Sequence, residues 1–132
     1  SLIGGIEIGT VWQSPMSDAQ LDTDLNRRKP AEAYLEALAA SGLHVENLTE
    51  PGREMRLDGL HLKVLQVNDT AMLVNAYNNA SIVLRLWDKR KSLLMLGDTG
   101  EESGDRLLRS VPRESRDTLR ADILKQILIH LV

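Results

Sequence analysis

The hydrophobic pattern changes character along the chain. From Ile6 to Gln13, the β-branched and aromatic residues Ile6, Ile8, Val11 and Trp12 predict a strand that Pro15 ends. Ser14 to Lys29 is polar with little periodicity and reads as a connection, longer than most loops. Pro30 to Ser41 predicts a helix. Ala31, Tyr34, Leu35, Leu38 and Ala39 form one stripe, Pro30 suits a first turn, and Gly42 stands where a left-handed cap would end it. Leu43, Val45 and Leu48 predict a short strand, and Pro51-Gly52 a turn.

Two hairpins follow. Asp58-Gly59 joins Arg53–Leu57 to Leu60–Val67, and Asp88 to Lys91 join Ala80–Trp87 to Ser92–Leu96. Leu93 to Leu96 are apolar on both faces, as a central buried strand requires. Leu94, Leu96, Ile82 and Leu84 are the expected core, with the Tyr34/Leu35/Leu38 face of the helix beside them. Glu101 to Ser110 predicts a second helix, with Glu101 and Glu102 at its positive end and Pro112 closing it. Arg113 to Asp117 reads as loop. From Leu119 to Val132, helical spacing (Leu119, Ile123, Ile127, Leu131) competes with a strand over Ala121–Leu124. No repeat or internal boundary appears, so residues 1–132 read as a single α/β (α+β) domain.

Composition narrows the chemistry. The 132 residues contain no Cys, which removes disulfides and thiolate sites. The net charge of −3 gives no strong nucleic-acid signature, and aromatics at 3% give few stacking surfaces. No apolar run is long enough for a membrane segment. A cytosolic protein, or a soluble part of something larger, fits this balance.

Asp98 is the leading candidate. It leaves an apolar strand directly into Gly97-Asp98-Thr99-Gly100, a tight turn that fixes a carboxylate well. The alternative is an Asp that caps the next helix or shapes the turn. Asn78, Asn79 and Ser81 form a polar cluster entering the second hairpin, where local turn bonds are the competing explanation. Asp98, Glu101, Glu102 and Asp105 together read either as a hard-cation cluster or as a solvated helix start. His44 and His61 read as half-exposed strand residues. His130 lies in an apolar run, and no two histidines stand at ligand spacing.

Ile8-Gly9-Thr10-Val11-Trp12, the Pro30–Gly42 helix, the Asp58-Gly59 hairpin, Asn78-Asn79-Ala80-Ser81-Ile82-Val83-Leu84 and Leu94-Met95-Leu96-Gly97-Asp98, in that order, resemble the metallo-β-lactamase superfamily. The nearest likeness is to the branch at the end of bacterial competence (DNA-uptake) proteins, over most of residues 4–125. The resemblance implies part of an αββα sandwich, its middle-to-late portion, with a mainly antiparallel or mixed sheet and flanking helices. It implies a metal-dependent hydrolase using zinc or another divalent metal, acting on a small-molecule or phosphodiester substrate. Asp98 matches the bridging metal ligand. The family's first histidine motif would precede Gly4-Gly5, where only Ser1 to Ile3 stand. Its later His-His-Gly loop is replaced by Gln126-Ile127-Leu128-Ile129, with His130 out of register. The expectation is therefore an incomplete metal site, no metal bound by this chain as given, and no activity by itself. The alternative is a non-catalytic binding or assembly domain on the same scaffold. The apolar C-terminal segment makes a homo-oligomer contact a further expectation.

Overall fold

The computed structural model describes residues 7–126. The chain runs β1 (Thr10–Gln13), α1 (Asp18–Leu21), α2 (Leu25–Ala40), β2 (His44–Asn47), β3 (Glu54–Leu57), β4 (Leu60–Gln66), α3 (Ala76–Asn79), β5 (Val83–Trp87), β6 (Ser92–Gly97), α4 (Glu101–Ser110), a 3₁₀ helix (Arg113–Leu119) and β7 (Ile123–Gln126). β1 and β2 pair in parallel. The remaining strands form a five-stranded mixed sheet in the order β3-β4-β5-β6-β7, antiparallel except for the β6/β7 pair. The class is mixed α+β.

Both expected hairpins are present. At the first turn Asp58 (φ 48°) and Gly59 (φ 85°) are both left-handed, the geometry that Asp-Gly accepts most readily. The second strand begins at Val83 rather than Ala80, because Ala76–Asn79 winds into α3 and consumes its approach. β1 begins at Thr10, not Ile6. Among the described residues it pairs only with the four residues of β2, while Glu7 to Gly9 are outside any strand and Ile6 is not described.

The polar stretch Ser14–Lys29 is not a plain connection. Ser17 and Gln20 make a reciprocal capping box that starts α1: the Gln20 N–H donates to Ser17 Oγ at 3.2 Å, and the Ser17 N–H to Gln20 Oε1 at 3.1 Å. Asp24 then caps α2, which starts five residues before Pro30. Pro30 lies inside the helix, where it can donate no hydrogen bond. Gly42 is left-handed (φ 71°) just past the helix end, as expected.

The five-stranded sheet carries a core on each face. On one, Leu48, Val64 and Val67 pack with Trp12, Leu62, Ile82 and Leu84. On the other, Val83, Leu94 and Leu107 pack with Leu65, Leu96, Leu119 and Ala121. The four residues expected to share one core therefore divide between two, because Ile82 and Leu84 point away from the α4 side that Leu94 and Leu96 fill. The α2 stripe is a larger correction. Leu38 is buried, but Tyr34 and Leu35 are 47% and 43% exposed. Arg113 to Leu119 coils as a 3₁₀ helix rather than loop, and the tail's strand is β7, which starts at Ile123, two residues later than the expected Ala121–Leu124. Ile127 to Val132, including His130 and the apolar segment expected to mediate self-association, lie outside the described residues.

Candidate functional site

Asp98 lies just past the end of β6, an interior strand between β5 and β7. The chain turns there at Gly97 (φ 62°), a left-handed position that strains any residue with a side chain. A Cβ on Gly97 would also come within 2.9 Å of Ser81 Cβ and 3.0 Å of Ser81 Oγ.

That close approach is what Ser81 uses. Its hydroxyl donates to the Asn78 carbonyl at 2.7 Å and accepts the Asp98 N–H at 2.9 Å. One side chain thus ties α3 to the turn after β6. Asn79 adds a second tie. It is 1% exposed, and its amide donates to the Val74 carbonyl and to Glu102 Oε2, both at 2.9 Å. Its carbonyl oxygen accepts the Gly100 N–H at 2.9 Å. Gly100 must be small, since a Cβ there would lie 2.6 Å from Asn75 Nδ2 and 2.8 Å from Asn79 Oδ1. The hydrogen bond from Asn79 is the main cause that holds the Glu102 carboxyl below the ordinary glutamate range.

Asp98 itself caps nothing. The N-cap of α4 is Gly100, with no side-chain cap bond, and Thr99 closes the turn by donating to the Leu96 carbonyl at 2.6 Å. The half-buried Asp98 carboxylate takes no hydrogen bond or ion pair among the described residues. Asn79 and Ser81 meet at the Asp98 turn. Asn78 does not join them, because its side-chain oxygen accepts from Arg27 Nη1 at 3.2 Å, on the α2 side. Ser81 makes the expected local bond, but both it and Asn79 also bridge residues far apart in sequence. Of the acidic set, Glu102 is tied to Asn79, and Glu101 and Asp105 are exposed on α4.

His44 and His61 lie elsewhere. His44 is exposed on β2, 3.7 Å from Glu46 Oε1. His61 is on β4, stacked on Trp87 with ring centroids 5.1 Å apart. Among the described residues no three His, Asp or Glu side chains converge into a group able to hold a metal ion. Asp98 with its amide and hydroxyl neighbours does not fit a two-metal centre unaided, since a zinc takes three or four protein ligands.

Sequence reasoning missed Asn75. Its left-handed backbone (φ 47°) starts α3, and its amide presses on Gly100. The chain offers a signal there in Asn75-Ala76-Tyr77-Asn78-Asn79, since Asn tolerates that conformation best among residues with a side chain. No family model matches the chain, nor does any curated protein or solved structure.

Proposed function

We propose that this chain carries the Asp98 portion of a metal-dependent hydrolase site of the metallo-β-lactamase type, incomplete and inactive in the chain as given. The supporting observation is a carboxylate with no hydrogen bond or ion pair among the described residues, on a turn locked from two sides by Ser81 and Asn79. A structural aspartate at such a turn is ordinarily engaged in capping or in an ion pair. Here the turn is closed by Thr99, Asn79 and Ser81 instead, which leaves the carboxylate available to a ligand. The two sheet faces, one covered by α4 and the other meeting β1, are compatible with part of an αββα arrangement.

In this reading a divalent metal pair supplies an activated water for hydrolysis of a phosphodiester or related bond. This chain's own contribution is positional. Asp98 presents one carboxylate, Ser81 fixes the Asp98 backbone, and Asn79 fixes the start of α4. The remaining ligands would come from outside the described residues. The test compares the chain alone with the longest polypeptide containing it, each titrated with zinc and manganese and assayed on a phosphodiester. Metal and turnover are expected in the longer protein only, with turnover falling at least about 100-fold in Asp98→Asn. A longer protein that binds no metal, or one whose metal and turnover ignore Asp98, overturns the reading in favour of a non-catalytic scaffold.

A further inference from the structure

The end of the five-stranded sheet opposite Asp98 has a different character. There the β3/β4 and β5/β6 turns lie side by side, and Asp58, Gly59, Leu60, Asp88, Lys89 and Arg90 line one shallow depression. Residues 53–63 and 85–92 hold seven Lys or Arg against three carboxylates, with Glu46 paired to Arg53 at 3.0 Å and Asp122 bonded to Ser92 at 2.8 Å as neighbouring acids. Two of the three carboxylates are engaged. Glu54 pairs with Lys63 at 3.3 Å, and Asp88 accepts the Arg90 and Lys91 N–H groups at 2.7 and 2.8 Å. Lys89, Arg90 and Lys91 are exposed; Lys91 acts on the Asp122 carboxylate, and none of the three makes an ion pair among the described residues.

Beside these cations the tip of the first hairpin shows Leu57, 57% exposed, and its cross-strand partner Leu60, 37% exposed. Two leucines projecting at a turn, next to three exposed cations, suit a partner that is apolar and anionic at once. We propose that this end of the sheet docks on the surface of an anionic lipid bilayer, with Leu57 and Leu60 entering the headgroup boundary and Lys89, Arg90 and Lys91 meeting lipid phosphates. A nucleic acid would satisfy the cations but leave the leucines in water. Trp87 offers no open platform for a base, because it already stacks on His61 and carries the Arg85 guanidinium 5.1 Å from its centroid. The hairpins are built for exposure here, since the Asp-Gly turn needs no tertiary support.

Co-sedimentation of the chain with phosphatidylcholine vesicles, with and without phosphatidylglycerol, tests this. Binding is expected only with phosphatidylglycerol, and is released as NaCl rises from about 0.1 to about 0.5 M. Replacing Lys89, Arg90 and Lys91 together by Gln weakens it by on the order of 100-fold. Replacing Leu57 and Leu60 together by Ser weakens it roughly tenfold or more. The same number of charges removed at Arg109, Arg113 and Arg116 leaves it within about twofold, since those residues lie outside the patch. Both test variants change exposed positions and are checked by thermal melting. If one fails to fold, the other and the salt release decide. No binding to anionic vesicles, equal loss in the Arg109/Arg113/Arg116 control, or binding to a single-stranded oligonucleotide in place of vesicles overturns the proposal.

Discussion

Asn79 shows how much one buried amide can hold together. Its three bonds reach Val74, Gly100 and Glu102, so truncation strands a carbonyl, an amide N–H and a carboxylate together. Asn79→Ala is expected to cost about 2–4 kcal/mol in urea unfolding. A loss under about 1 kcal/mol would mean that water replaces the amide. The same bond sets a pH dependence. Glu102 is held below its ordinary value of 4.5 in the folded chain. Its contribution is therefore present above pH 4.5 and is lost as pH falls through the lowered folded value. Asn79→Ala removes that part of the acid limb, so the stability difference between variant and parent narrows at low pH. Gly97→Ala tests the close approach beside it. The left-handed backbone and the contact with Ser81 together predict a loss of about 2–4 kcal/mol.

At the scale of elements, α2 is the informative case. Its sequence puts Pro30 six residues in, where an N–H should bond to the carbonyl of Asn26. Pro30→Ala restores that donor and should stabilise the chain by about 1–3 kcal/mol, read as a higher melting temperature. An unchanged or lower melting temperature would show that the proline fits without cost. Reading Pro30 as the helix start was reasonable from residue preference alone. It failed because Asp24, six residues before Pro30, is the stronger start signal, accepting the Asn26 N–H at 3.0 Å. The hairpins were legible because Asp58-Gly59 encodes its own backbone angles, and α4 because Gly97 and Pro112 bound it on both sides. Tyr34 and Leu35 misled because a stripe shows which residues share a face, not whether anything covers that face. In the site, Asp98 was legible as a carboxylate at a strand end. The grip of Asn79 on Gly100 and Glu102 was not, because it joins residues more than twenty positions apart.

For the molecule as a whole, stability should be graded around β5. That strand is paired on both sides, by β4 and β6, and has a core on each face of its sheet. Val83 and Val64 are fully buried, and Leu94 is 5% exposed. α2 has one buried residue, Leu38, and an interior proline. Its surface pairing is modest, since Arg28 meets Glu32 at 2.8 Å and Asp22 where solvent screens both contacts. Opening α2 exposes little apolar surface, whereas opening β5 breaches both cores. Amides of β4, β5 and β6 should therefore exchange with solvent only through global unfolding, and those of α2 by local opening, at least about 100-fold faster. Hydrogen exchange followed by mass spectrometry reads both directly. Leu94→Ala, expected to cost about 2–5 kcal/mol, should speed exchange in β5 by the full stability loss and leave α2 nearly unchanged. If α2 exchanges as slowly as β5, its Tyr34/Leu35 face is covered in solution. The gradient argued from burial would then be wrong, because the resting state would include a contact that the described residues do not supply.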